Sequence, residues 1–253
     1  IILKSRQLGI STLTAGYSLW MMTFHKDRNI LCIVTKQDTA KNMVTKVKFM
    51  YENLPSWLKV DAMENNKLTL RLNNGSQIKA TSASSDAGRS EAVSLLLIDE
   101  AAFIDNIGEI WASAQQTLAT GGGCIALSTP YGTGNWFHQT WTRAESQENE
   151  FLPIKLPWYV HPERNQEWRS RQDELLGDPR IAAQECDCDF STSGDIIFYS
   201  EWIDFIKETT IKDPLERRGV DQNLWIWENA DYSREYMVVA DVTRGDGKDF
   251  SAC

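Results

Sequence analysis

The sequence predicts an α/β fold, a parallel-sheet core with helices on both faces, and three observations predict it. Short apolar runs alternate with longer mixed segments over residues 1–150. The runs at 29–35 and 91–99 are nearly continuous in apolar residues, as in strands covered on both faces. The composition, with 42% hydrophobic and 24% charged residues in a chain of 253, is that of a globular protein and excludes a disordered or fibrous one.

Taken in order, residues 1–3 read as the end of a buried strand, and 11–15 enter a helix. A strand is expected over 29–35. A helix follows over 38–52, with Asp38 placed to cap it and Met43, Val44, Val47, Met50 and Tyr51 at helical spacing. Asn53-Leu54-Pro55 ends that helix. Residues 67–71 and 77–81 alternate polar and apolar around Asn73-Asn74-Gly75-Ser76, a hairpin signal. Then come a strand over 91–99, a helix over 107–117 and a strand over 123–127, approached through three glycines. Beyond residue 147 the texture turns polar, rich in Trp and Arg and punctuated by prolines, with a helix over 165–176. The expected organisation is a core over 1–150, a lid and linker over 151–227, and a new domain over 228–253 that opens with a strand at 236–241.

The 26 Lys and Arg against 35 Asp and Glu give a net charge of −9, which excludes a uniformly basic nucleic-acid binder but leaves room for a local basic groove. No apolar run approaches the roughly 18 residues of a membrane span, so no membrane partner is expected. Neither end has the form of a signal peptide; both stop inside patterned sequence, as expected of a piece of a longer polypeptide. Cys32 and Cys124 sit in strand-like runs as small hydrophobes, and Cys186 and Cys188 form one C-x-C without the second pair that zinc requires. This cysteine usage fits a reducing cytosol. Of the ten tryptophans, Trp20 and Trp111 read as core or interface anchors rather than stacking platforms for bases.

Three segments carry chemistry. The phosphate-loop pattern G-x-x-x-x-G-K-[ST] falls on Lys4-Ser5-Arg6-Gln7-Leu8-Gly9-Ile10-Ser11, followed by Thr12. Gly9 and the metal-binding hydroxyl of Ser11 are present, whereas Ile10 replaces the lysine and Lys4 the first glycine. Because the loop curls around phosphate, Lys4 can supply the ammonium from its opposite end, with Arg6 as a second, forked cation. A basic surface turn before a helix is the plainer alternative. Next, Ser94 to Glu100 forms a strand ending in two acids; Asp99 would hold Mg2+ and Glu100 would polarise the attacking water, unless the pair caps the next helix. Third, Ser128 and Thr129 stand at a strand tip, where hydroxyls can sense a γ-phosphate.

Together with the hairpin at Asn74-Gly75, the segments Ser5-Arg6-Gln7-Leu8-Gly9, Leu97-Ile98-Asp99-Glu100-Ala101-Ala102-Phe103-Ile104 and Ser128-Thr129-Pro130-Tyr131-Gly132 resemble the large terminase subunit of tailed bacteriophages, in its myovirus-like form, over essentially the whole chain. The resemblance implies a P-loop NTPase core of the ASCE/RecA-like type, a lid, and the start of an RNase H-like nuclease. It implies an ATP-driven motor moving double-stranded viral DNA into a procapsid. Its partners would be the portal protein, a small terminase subunit and copies of itself in a ring, usually a pentamer. Such a motor works in the host cytoplasm, docked transiently on the portal vertex.

The resemblance also assigns residues. The loop from Lys4 to Ser11, with Lys4 as relocated lysine, would bind ATP; Arg6 would act on the γ-phosphate in cis; Ser11 and Asp99 would hold Mg2+; Glu100 would be the catalytic glutamate. Ser128 and Thr129 match the coupling motif. Arg89 falls where some relatives supply an arginine to the neighbouring subunit, although a solvent-facing turn fits it equally. Asp241 matches the first nuclease carboxylate, binding Mg2+ or Mn2+, although a strand-end Asp is also a common turn former. An adenine-contacting segment is expected before Ile1 and the other nuclease carboxylates after Cys253, so the chain by itself is not expected to cut DNA. Two other readings remain at this point: another P-loop translocase or helicase, which would need a second RecA-like domain, and an inactive assembly scaffold, which Ile10 favours.

Overall fold

The structure is a computed structural model that describes residues 1–83, 92–118, 121–190, 200–210, 212–219, 222, 224–235 and 237. Arg89, Asp241 and the strand expected over 236–241 lie outside the described residues, Met237 apart.

The chain divides into two compact units, Ile1–Ser200 and Glu201–Cys253. The first is built on eight strands: β1 (Ile2–Lys4), β2 (Asn29–Val34), β3 (Ala62–Asn65), β4 (Thr69–Leu72), β5 (Gln77–Ser82), β6 (Leu95–Asp99), β7 (Gly123–Ser128) and β8 (Ile154–Leu156). Their spatial order is β3-β4-β5-β2-β6-β7-β1-β8. From β5 to β8 the pairing is parallel, while β3, β4 and β5 form an antiparallel meander. The helices are α1 (Ile10–Phe24), α2 (Gln37–Glu52), α3 (Ile107–Leu118), α4 (Trp136–Glu145), α5 (Gln166–Leu176) and the short α6 (Pro179–Ala182), which runs on into a π-helical turn, Ala183–Asp187. This is the expected α/β fold with a mostly parallel sheet flanked by helices.

The near-continuous apolar strands have a physical cause visible in the packing. Leu96 and Ile98 of β6 belong to a core with residues of α3 and α4, while Leu95 and Leu97 point into a second core with residues of α1 and α2. A strand covered on both faces has no polar side to show, so alternation disappears.

Local signals explain the connections. At the β4–β5 turn Gly75 has φ +84°, in the left-handed region that favours glycine. The neighbouring Asn74 amide donates to the carbonyls of Met22 (2.8 Å) and His25 (3.3 Å), tying the turn to the end of α1.

Several expectations are corrected. Asp38 does not cap α2: Lys36 holds the N-cap position, and Asp38 lies one place into the first turn, bonded to Lys41 at 2.7 Å. An acid is favourable there through the helix dipole, which is why it mimics a cap in sequence. Trp20 is no core anchor; it is exposed on α1, where its ring lies between those of Tyr17 and Phe24 on the neighbouring turns. Trp111 is half-buried against Trp136 and Phe151. Finally, β8 joins the main sheet beside β1, so the sheet takes a strand from beyond residue 150.

In the second unit most of α7 (Ser200–Thr209) precedes a short antiparallel pair, β9 (Glu216–Arg218) and β10 (Leu224–Ile226). The Arg217 guanidinium lies 4.3 Å from the Trp225 ring centroid, which holds the two strands together at the surface.

Candidate active site

In an open parallel sheet the loops at the carboxyl ends of the strands form the natural crevice. Here β1 ends at Lys4, β6 at Asp99 and β7, lying between them, at Ser128. Register places Leu127 opposite both Ile2 and Asp99, so the three tips stand side by side. Sequence positions about a hundred apart are thereby brought to one edge.

The loop after β1 turns on two residues in the left-handed region, Gln7 (φ +58°) and Gly9 (φ +77°). Gly9 is the N-cap of α1 and its carbonyl accepts from the Thr12 and Leu13 N–H groups, each at 2.9 Å; the N-terminal end of a helix favours anions. Ser11 stands in that first turn, near enough to the Asp99 carboxylate to draw its pKa down.

Asp99 is almost fully buried, and its carboxylate is held in place by the Glu100 N–H, which donates to Asp99 Oδ1 at 3.0 Å. Burial, and then the charge of Glu100, push its pKa up; Lys4, Ser11 and the Glu100 amide pull the other way. Glu100 leaves the strand with φ +56°, a conformation uncommon for a non-glycine residue and often seen at functional positions. Its Oε1 accepts from Lys4 Nζ at 2.9 Å. Lys4 therefore reaches Glu100 from the foot of the loop and is engaged by that acid. Ile10, which occupies the usual lysine position, is half-buried.

Ser128 and Thr129 are buried, and Ser128 Oγ accepts from the Ala102 N–H at 3.2 Å, in the turn that follows Glu100. A cleft of about 490 Å³ is lined by Arg6, Thr35, Lys36, Glu100, Phe103, Thr129 and Glu185. Arg6 lies at its mouth, 68% exposed along the side chain, with Nη1 3.3 Å from Glu185 Oε2.

The structure thus brings Lys4, Ser11, Asp99, Glu100, Ser128 and Thr129 together, with Ser5 to Thr12 forming the loop and first turn beside them. Arg89 and Asp241 lie outside the described residues. Sequence reasoning missed Thr35 and Lys36, which follow β2 into the cleft, and Glu185 and Arg164, which hold the loop from outside. For the first two the strand-end position was a usable signal; the other two belong to no local pattern.

One hydroxyl and one carboxylate side by side, as Ser11 and Asp99 are, suit Mg2+, which takes few protein ligands and fills its shell with phosphate oxygens and water. Among the described residues no group of three or more His, Cys, Asp and Glu converges.

Solved structures share this fold. The large terminase ATPase domain of Thermus phage P74-26 is 21% identical, with a TM-score of 0.57, over 75% of this chain and 87% of that one. A large terminase from a thermophilic bacteriophage, in complex with ADP, is 13% identical with a TM-score of 0.59, over 75% of this chain and 47% of that one. The large terminase of bacteriophage HK97 is 18% identical with a TM-score of 0.58, over 76% and 46%. The chain thus spans just under half the length of the ADP-bound and HK97 proteins it matches. Residues 1–205 match the model of the terminase large subunit, T4likevirus-type, N-terminal region, and the chain belongs to that family.

Proposed function

We propose that this chain is the Mg2+-dependent ATPase part of a motor that moves viral double-stranded DNA into a procapsid. The observation that carries the reading is the convergence of Lys4, Ser11, Asp99, Glu100 and Ser128 at one strand-end cleft beside a helix N-terminus. The family to which the chain belongs supports the coarser part, a DNA-packaging ATPase.

In this reading the loop amides and Lys4 bind the phosphates of ATP, and Ser11 and Asp99 hold the metal ion. Mg2+ bound there would neutralise phosphate charge in the transition state. Lys4 holds Glu100 until phosphate arrives; exchanging that bond for one to phosphate releases the carboxylate to orient water. Arg6, already at the mouth of the cleft, adds charge at the γ-phosphate in cis. Because Ser128 accepts from the turn after Glu100, displacement of that turn is felt at the tip of β7 and passes to the later segments. Arg89 would serve a neighbouring subunit of a ring, five-fold in keeping with such motors. Asp241 would open the nuclease, whose cleavage uses Mg2+ or Mn2+ and further carboxylates. Portal protein and small terminase subunit are the proposed partners, and the host cytoplasm the proposed setting.

The test is DNA-stimulated ATP hydrolysis by the full-length protein carrying Glu100→Gln. A fall of about 100-fold or more is expected for loss of a water-orienting base; unchanged turnover overturns the assignment.

A further inference from the structure

The outer side of the phosphate loop is not left to solvent. Arg164, half-buried between β8 and α5, donates from Nη1 to the Arg6 carbonyl at 3.1 Å and to Ser5 Oγ at 3.3 Å. Its Nη2 donates to the Gln7 carbonyl at 3.1 Å. The guanidinium lies 4.3 Å from the centroid of the Trp168 ring, which fixes its plane. Among the described residues no carboxylate pairs with Arg164; its hydrogen bonds go to the loop alone.

In a trans peptide the carbonyl and the following N–H point in opposite directions. Holding the carbonyls of Arg6 and Gln7 from outside therefore turns the amides of Gln7 and Leu8 inward, away from Arg164. The second of those peptides follows a residue with φ +58°, which an L side chain adopts only under constraint. A planar fork fixes two carbonyls one residue apart in a set geometry, which a lysine's rotatable donors do not.

A second grip completes the hold. The Glu185 carbonyl accepts from the Arg6 N–H at 2.8 Å and from Ser5 Oγ at 3.1 Å. Arg169 of α5 donates to both oxygens of Asp187, at 2.9 and 2.8 Å, which ties the segment bearing Arg164 to the one bearing Glu185.

We propose that Arg164 is a positioning residue for the nucleotide, holding two peptide planes of the loop so that the Gln7 and Leu8 amides are set to receive phosphate. The inference deepens, and rests on, the reading of residues 4–11 as a phosphate loop. Donors fixed before the ligand arrives cost no ordering when it binds, and that saving appears as affinity.

Calorimetric titration of the full chain with Mg2+ and ATPγS, run alongside thermal melting and hydrogen exchange at Gln7 and Leu8, tests it. Arg164→Ala is expected to weaken binding about 10- to 100-fold and to speed exchange at those two amides. Arg164→Lys keeps the charge but not the fork, and is expected to leave most of the loss in place. Binding by Arg164→Ala equal to wild type, or full rescue by Arg164→Lys, overturns the inference while leaving the phosphate loop standing. Absence of binding by the wild-type chain overturns both. Should Arg164→Ala fail to fold, Trp168→Ala removes only the supporting ring; about 2- to 5-fold weaker binding is then expected, and unchanged binding overturns the inference.

Discussion

On the β6–β7 side of the cleft Asp99, Ser128 and Thr129 lie within the core at 6%, 0% and 3% exposure, whereas on the β1 side Arg6, Gln7 and Gly9 are open to solvent. The first group is placed by sheet register and by apolar neighbours on both faces. In the second, Arg6 and Gln7 are placed by polar clips from Arg164 and Glu185, residues more than 150 positions later. The contrast teaches that the acids form a fixed wall and the cation-bearing loop an adjustable one. A wall held by close packing moves only by breaking the core; a loop held by hydrogen bonds can exchange them for bonds to a ligand. Lys4 spans the two, since its backbone belongs to the sheet while its ammonium reaches across to Glu100.

The largest expected effect that could break this contrast is at Glu100, whose replacement by Gln should abolish turnover and leave ATPγS affinity within a few-fold of wild type. A parallel loss of affinity would show that the wall, too, is shaped by the Lys4–Glu100 pair. Next, Lys4→Ala should remove most ATP turnover, at least about tenfold, because no other buried cation faces Glu100 among the described residues. Ile10→Ala should cost packing only, about 1–2 kcal/mol by chemical denaturation. Normal turnover in Lys4→Ala would mean that the relocated ammonium plays no part.

A smaller effect sharpens the account of the wall. Ser128→Ala leaves the buried Ala102 N–H without its acceptor, and about 1–3 kcal/mol of stability should be lost. If the coupling role holds as well, DNA stimulation of the ATPase falls further than basal turnover does. The smallest concerns His138 on α4, whose Nδ1 accepts from the Gly134 N–H at 3.2 Å. Burial holds its pKa below the ordinary imidazole value, so the unfolded chain takes up the proton first on acidification. Stability should therefore decline as the pH falls from the ordinary value to the folded one and level off below it; His138→Gln should flatten that part of the profile.

Much of the fold was legible because its strands are buried on both faces and its punctuation is local: Asn74-Gly75 marked the β4–β5 turn, and Asn53-Leu54-Pro55 the end of α2. Asp38 misled because a carboxylate in the first turn gains from the same dipole that favours a cap. Trp20 was open to either a core or an interface place, because an aromatic at helical spacing reads the same whether the face is covered or bare, and the structure excludes the core. At the site, the strand-end residues could be read from the pattern of apolar run followed by polar tip. Arg164 and Glu185 could not. Their role arises from main-chain oxygens that every residue possesses, and only the three-dimensional path of the later segment brings them to the loop.

The place of β1 has a consequence for how the protein is made. Its partners are residues 127–128 of β7 and 154–156 of β8, so the strand that leads into the Gly9 loop pairs with strands more than 120 positions away in sequence. Closing such distant pairings is entropically slow and comes after local structure has formed. During synthesis β1 is therefore translated before both of its partner strands and is fully paired only once β8 has emerged. A nascent chain that stalls before residue 154 leaves β1 with β7 alone, and the apolar Ile2 and Leu3 lack the strand that covers their other edge.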